Sequence, residues 1–202
     1  MQASKCVGCA SFPCKDVRQD SYIVPEIEIQ PDDISMLMIS EAAPESPNNY
    51  YYAEGNPLFE QTTVDAFNDA GANVSSIMDI VDLGVYFTTA VKCGKTGYGI
   101  KTDTIKECSL ILEKEIALFP NMKVLMLMGD VAIRALNYIA KRLGVDRVIP
   151  SGSTYKIRTQ QYFHQGKRVF PSYLQAGPSF FIEKSKRRMI GEDIAEAISL
   201  VK

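Results

Sequence analysis

Residues 85–93 of the chain read Val-Tyr-Phe-Thr-Thr-Ala-Val-Lys-Cys, an apolar, β-branched run with the length of a buried strand. A segment of helical period follows at Thr102–Phe119, where Ile105, Leu112 and Ile116 fall on one apolar stripe. A buried strand followed by an amphipathic helix is half of a unit that joins parallel strands through a helical crossover. This order therefore predicts an α/β protein.

The same alternation of strand and helix patterns continues on both sides of this segment. Further strands are predicted at 36–39, 123–128 and 169–170, helices at 62–70, 130–143 and 180–201, and a hairpin-like polar region at 154–168. Together these elements predict a three-layer α/β/α sandwich with a central, mostly parallel four-stranded sheet. We interpret residues 1–202 as a single domain, in which 1–34 form an irregular N-terminal segment.

The composition is typical of a globular protein, with 46% hydrophobic residues, 23% charged residues and a net charge of -2. This charge excludes a protein that coats nucleic acid through bulk positive charge, but it allows a local basic patch. The first residues contain no apolar run of the kind found in signal peptides, and no stretch approaches the length of a membrane span. We therefore expect a cytoplasmic location and no membrane partner.

The cysteines indicate a metal or cluster site. Cys6 and Cys9 form a Cys-x-x-Cys pair, Cys93 ends the predicted strand, and Cys108 lies on the helix after it. The carboxyl ends of parallel strands and the starts of the following helices share one edge of a sheet, where all four thiols could meet. Four thiolates suit either Zn²⁺ or an iron–sulfur cluster. The alternative is that the cysteines are small buried hydrophobic residues.

The order of short motifs along the chain resembles that of the iron–sulfur uracil-DNA glycosylases of families 4 and 5. Ser-Glu-Ala-Ala-Pro stands at 40–44, Gly-Asn-Pro at 55–57, and the 85–93 segment ends in a cysteine that precedes Cys108. Phe-Pro-Ser-Tyr-Leu at 170–174 is similar to the second motif of the family. The resemblance covers most of the chain.

The resemblance implies both a cofactor and a substrate. The cofactor is a [4Fe–4S] cluster, with zinc as the alternative occupant. Cys14 could replace one N-terminal ligand, but the Cys-x-x-Cys spacing favours the pair Cys6 and Cys9, so we expect Cys14 not to bind the cluster. The implied ligands are Cys6, Cys9, Cys93 and Cys108. The implied partner is DNA, single- or double-stranded, that carries a deaminated base or an abasic site, and we expect the protein to act as a monomer.

The resemblance also implies a set of site residues, although four positions depart from the family pattern. The residues that flank Glu41 differ, and Leu58 stands where the family has a stacking aromatic, which shifts that role to Phe59. Thr89 stands where the family has an asparagine that reads the base, and Phe170 stands where it has a histidine. We therefore expect an atypical site with weakened excision. The implied residues are Glu41 and Glu45 for catalysis, Phe59, Thr89 and Ser172 for binding the base, and Tyr173, Leu174, Lys184 and Arg187 for contacting DNA.

Simpler interpretations exist for several of these residues. Glu41 could be a solvated acid in a loop, the basic run at 184–188 could be a solvated helix face, and His164 is expected to be an ordinary surface histidine. At the level of the whole protein, one alternative is a non-catalytic iron–sulfur protein that binds nucleic acid on the same scaffold. Another is a zinc-stapled α/β domain with an unrelated small-molecule substrate.

Overall fold

A six-stranded sheet forms the centre of the protein in a computed structural model that describes residues 1–97 and 99–201. Its spatial order is β1-β3-β2-β4-β6-β5. The four inner strands are parallel to one another, and the two outer strands pair antiparallel with their neighbours. The strands are β1 (Val17–Arg18), β2 (Met36–Ala43), β3 (Val85–Lys95), β4 (Val124–Met128), β5 (Tyr162–His164) and β6 (Lys167–Ser172).

The prediction of an α/β sandwich is confirmed, and the predicted number of four strands is wrong. The four inner strands correspond to the four predicted ones. The two additional strands lie at the edges of the sheet, β1 within the segment predicted to be irregular and β5 within the hairpin-like region. With two and three residues, they are too short to show a periodic pattern.

Helices cover both faces of the sheet. The helices are α1 (Leu58–Asp69), α2 (Ile77–Asp82), α3 (Thr102–Ile116), α4 (Asp130–Arg142), α5 (Thr154–Ile157), α6 (Ser179–Ile182) and α7 (Lys184–Ser199). The predicted last helix is thus divided into α6 and α7. No helix in the described part of the chain is long and apolar enough to cross a membrane.

The alternation along β4 shows how the two faces are packed. Leu125 and Leu127 pack in the core with α3 and α4, whereas Val124, Met126 and Met128 pack in the core with α1, α2 and α7. Both faces of the strand are therefore buried, which explains why β4 reads as a continuous apolar run rather than an alternating one.

The N-terminal segment before β2 packs against the sheet instead of extending into solvent. Ala3, Val24 and Ile29 are buried in the core on the α3 and α4 side. The backbone N–H of Ile23 donates to the carbonyl oxygen of Lys92 in β3 at 2.8 Å. The segment is therefore held along the β3 edge of the sheet, close to Cys93 in β3 and Cys108 in α3.

The order of the inner strands creates a crevice. The chain leaves β2 towards β3 on one side and leaves β4 towards β6 on the other side. Ligands of open α/β sheets bind at such a switch point, outside the carboxyl ends of the two strands. Here those ends carry Glu41 in β2 and Gly129 directly after β4.

Candidate functional site

A cavity of about 210 Å³ lies at the switch point between β2 and β4. Its lining combines one carboxylate from β2, the amino end of α4, and side chains from the loop after β6 and from α6 and α7. The residues that line it are Glu41, Gly129, Asp130, Thr154, Tyr173, Leu174, Ser179, Phe180, Glu183, Lys186, Arg187 and Ile190. The structure therefore brings the predicted residues Glu41, Tyr173, Leu174 and Arg187 to one place.

Glu41 is fixed at the edge of this cavity by its two neighbours. Lys95 Nζ lies 3.3 Å from Glu41 Oε2, and the Glu41 side chain is only 17% exposed. On the other side Gly129 approaches so closely that a Cβ there would lie 2.8 Å from both Cγ and Oε1 of Glu41. The backbone of Gly129, with φ 102° and ψ 168°, is in a region open essentially to glycine alone. The carboxylate thus has a defined position.

Basic side chains from α7 reach the opposite wall of the cavity. Lys186 Nζ lies 5.4 Å from the ring centroid of Tyr173, within the range of a cation–π contact. Arg187 is held by hydrogen bonds to Asp69, and its guanidinium stacks on Phe180 at 4.7 Å. The hydrogen bond to Asp69 raises the pKa of Arg187. Lys184 does not line the cavity and lies in a shallow depression beside it.

Glu45 and the three residues predicted to bind the base do not line this cavity. Glu45 is exposed and pairs with Arg18 at 3.3 Å. Phe59 packs on Tyr51, with their ring centroids 5.2 Å apart. Thr89 is fully buried, and its hydroxyl has no hydrogen-bond partner among the described residues.

Ser172 is fully buried and donates its hydroxyl proton to Asp193 in α7. Burial raises the pKa of Asp193, partly opposed by hydrogen bonds from Arg158 and from the Ser172 hydroxyl. Phe170, at the position of the missing histidine, is 1% exposed and lies in the core under the guanidinium of Arg168. The inward direction of alternate β6 residues explains both placements, because these side chains point into the layer below α7.

A buried polar network that the sequence did not reveal stands next to the cavity. Ser40 and Tyr51 share a hydrogen bond between their hydroxyls, and Gln175 Nε2 donates to the Tyr51 hydroxyl at 3.1 Å. Ser40 also donates to Gln175 Oε1 at 3.2 Å. Burial raises the pKa of Tyr51 well above its ordinary value, so the residue stays a neutral donor. Because Ser40 precedes Glu41 and Gln175 follows Leu174, the network fixes two walls of the cavity relative to each other.

A second buried network lies behind the cysteines. Lys92 in β3 and Glu115 in α3 form an ion pair with neither side chain exposed. Lys92 Nζ also donates to Thr88 Oγ1 at 2.6 Å, and the Tyr86 hydroxyl donates to Glu115 Oε1 at 2.9 Å. Every charged atom of the pair is therefore hydrogen-bonded, which is the condition under which a buried pair is tolerated. In the sequence, this ion pair is indicated only by the position of Lys92 within the apolar strand predicted at 85–93.

Four of the five cysteines line a second cavity, of about 180 Å³, between the N-terminal segment, β3 and α3. Burial raises the pKa of Cys93 to about 12 and that of Cys108 to about 11. As the side chains stand, no three His, Cys, Asp or Glu residues of 1–97 and 99–201 are grouped to hold a metal ion. The cysteines on its lining are Cys9, Cys14, Cys93 and Cys108, and Cys6 is not among them.

The family model for the uracil DNA glycosylase superfamily matches residues 31–190, well over half of the chain and all of the sheet except β1. The chain belongs to the uracil DNA glycosylase superfamily. The matched region of this superfamily member includes the switch-point cavity and Cys93 and Cys108, and it begins after the N-terminal cysteines.

The chain is also similar to a solved structure from Nitratifractor salsuginis. "The WT UNG crystal structure from Nitratifractor salsuginis" is 11% identical in sequence, with a TM-score of 0.40 over 86% of this chain and 80% of that chain. No curated protein matches the chain. Superfamily membership supports a function like that of a DNA glycosylase.

Proposed function

We propose that this protein is a DNA glycosylase that hydrolyses the N-glycosidic bond of a deaminated base flipped out of DNA. The switch-point cavity is its catalytic site, and Glu41 is its principal catalytic residue. The single observation that carries this proposal is the fixed carboxylate of Glu41, which lies at the carboxyl end of β2 in a cavity bordered by Tyr173 and Leu174.

A carboxylate at such a point suits the chemistry of base removal. Cleavage of the bond between base and sugar passes through a transition state with positive charge on the sugar, and a water attacks the anomeric carbon. Glu41 can orient that water, accept its proton and stabilise the developing charge. Lys95, at 3.3 Å, holds the carboxylate in position without closing the cavity.

The loop after β6 supplies the contacts for an extruded nucleotide. Leu174 is an apolar side chain of the kind that fills the gap left in a base stack, which offsets part of the unstacking energy. Tyr173 adds a hydroxyl donor and an aromatic ring, over which the Lys186 ammonium lies. One wall of the cavity therefore offers the departing base a hydroxyl donor and a cation. The position of the family's histidine is occupied by Phe170, which is buried in the core.

The experiment that tests this proposal uses a panel of oligonucleotides with different deaminated bases and anaerobically purified protein. We expect Glu41→Gln to lower the rate of excision by about 10²–10⁴-fold, the usual contribution of a general base. The matched control is Glu196→Gln, since Glu196 is an exposed carboxylate on α7 that does not border the cavity. Equal excision by the wild-type protein and Glu41→Gln would contradict the assignment of the site.

The alternative is a non-catalytic protein that binds nucleic acid on the same scaffold, and one observation favours it. Two positions predicted to bind the base, Thr89 and Ser172, are fully buried, and Ser172 is bonded to Asp193 instead of facing the cavity. Such a protein would bind abasic or mismatched DNA more tightly than intact duplex and would excise no base from any oligonucleotide of the panel.

We also propose that the cysteine cavity binds a [4Fe–4S] cluster. Four thiols around one cavity suit a cubane, which sets its ligands around a body several atoms wide, better than they suit a single Zn²⁺ with sulfurs at about 2.3 Å. When bound, the cluster would supply a covalent link between the N-terminal segment, β3 and α3. Iron and sulfide analysis of the purified protein tests this proposal independently of excision. A brown protein that contains both elements is expected, and a colourless protein without them would contradict the proposal.

A further inference from the structure

The lining of the cysteine cavity divides the five cysteines into a group of four and one outlier. Cys6 is the outlier, because it is exposed and its Sγ lies 3.7 Å from the carbonyl oxygen of Gln2. The other four border the same cavity of about 180 Å³. These four are Cys9, Cys14, Cys93 and Cys108.

The backbone around Cys14 is fixed against the helix that carries Cys108. Gln19 Nε2 donates to the carbonyl oxygen of Cys14 at 2.7 Å. Two residues later, Asp16 Oδ2 accepts a hydrogen bond from the backbone N–H of Lys101 at 2.7 Å. Because Lys101 directly precedes α3, these bonds hold the Cys14 segment at the start of the helix.

The turn between Cys9 and Cys14 directs both residues towards the cavity. Phe12 has a φ of +45°, a left-handed conformation that residues other than glycine adopt only where the surroundings stabilise it. Its ring packs edge-on against Tyr22 at 5.0 Å, and the Tyr22 hydroxyl accepts from the backbone N–H of Cys9 at 2.9 Å. The reversal of the chain is therefore supported at both ends.

We infer that Cys14, and not Cys6, is the fourth ligand of the cluster proposed above, on which this inference rests. The N-terminal ligands are then Cys9 and Cys14 in a Cys-x₄-Cys arrangement, a spacing that iron–sulfur sites use. Cys6 keeps a free thiol at the surface. The Cys-x-x-Cys pattern in the sequence thus contains one ligand and one residue outside the site.

The test compares two single variants of the full chain, Cys14→Ser and Cys6→Ser, purified without air. Iron, sulfide and visible absorbance are measured for each chain and for the wild type. We expect Cys6→Ser to retain the wild-type content and Cys14→Ser to lose most of it. Loss in Cys6→Ser with retention in Cys14→Ser would overturn the ligand assignment while leaving the cluster itself in place. A wild-type protein without iron and sulfide would instead overturn the proposed cluster.

A second measurement avoids variants that fail to fold. The wild-type protein with its cluster is treated with iodoacetamide, and the labelled peptides are identified by mass spectrometry. We expect Cys6 to be labelled in the loaded protein and Cys14 to be labelled only after the iron has been removed with a chelator. Labelling of Cys14 with protection of Cys6 in the loaded protein would refute the inference.

Discussion

Gly129→Ala tests whether the close contact between Gly129 and Glu41 positions the catalytic carboxylate. The new Cβ would lie 2.8 Å from Cγ and Oε1 of Glu41, so the Glu41 side chain must move. The backbone conformation, with φ 102° and ψ 168°, adds strain of about 1–3 kcal/mol for any residue other than glycine. Rotation of Glu41 away from its rotamer adds about 0.5–1.5 kcal/mol.

The expected loss in the free energy of unfolding is therefore about 1.5–4.5 kcal/mol, or about 3–18 °C in melting temperature for a chain of this size. Gly144→Ala is the matched control, because Gly144 also has a positive φ, 71°, but no atom within 4 Å of its added Cβ. The free energy of unfolding of that variant should fall only by the strain of a left-handed backbone, about 1–2 kcal/mol.

The contact itself is isolated by a double-mutant cycle in which Glu41→Ala removes the side chain that the new Cβ would strike. Denaturant unfolding should show that Gly129→Ala is less costly in the Glu41→Ala background, by about 0.5–1.5 kcal/mol. Excision by Gly129→Ala should fall by about 10²-fold, the effect of a displacement of about 1 Å. The reasoning would be refuted if the two changes in the free energy of unfolding added to within about 0.3 kcal/mol and Gly129→Ala excised bases at the wild-type rate.

Lys92→Met should destabilise the protein by about 3–5 kcal/mol in urea unfolding, because it leaves the buried Glu115 carboxylate without its cation, and adding Glu115→Gln should recover part of the loss. A Lys92→Met protein as stable as the wild type would contradict the buried pair. Burial lowers the pKa of His164, so the unfolded chain takes up a proton more readily and stability should fall as the pH drops below about 6.5, by at most about 1.4 kcal/mol per pH unit. His164→Gln should reduce this slope, and an unchanged profile would assign it to other groups. Lys184→Ala should reduce the slope of log affinity for DNA against log salt by about 1, whereas Lys141→Ala, on the opposite helical layer, should leave it unchanged; equal slopes for both variants would remove Lys184 from the DNA surface.

The inner sheet could be predicted from the sequence because its strands are buried on both faces. The apolar runs around Val85 and Val124 follow directly from that burial. The edge strands could not be predicted, since Val17–Arg18 and Tyr162–His164 owe their conformation to pairing with β3 and β6 and not to any pattern of their own. His164 was expected at the surface and is 5% exposed, because the short β5 pairing folds it against the domain.

The candidate site was predictable only in part, for physical reasons that differ between residues. Glu41 follows an apolar strand, so its place at the carboxyl edge of the sheet could be deduced. The approach of Gly129 depends on the relative position of two strands that the sequence does not encode locally. Cys14 reaches the cysteine cavity because a left-handed Phe12 reverses the chain, and no spacing rule anticipates that reversal.

The hydrogen bonds among Ser40, Tyr51 and Gln175 determine when the cavity can appear during folding. Ser40 and Gln175 are separated by 135 positions along the chain, and Tyr51 and Gln175 by 124. Contacts between such distant positions can form only when the loop-closure entropy of the intervening chain is lost. The two walls of the cavity are therefore joined only once the segment after β6 is in place, so a nascent chain that still lacks this segment has no formed cavity.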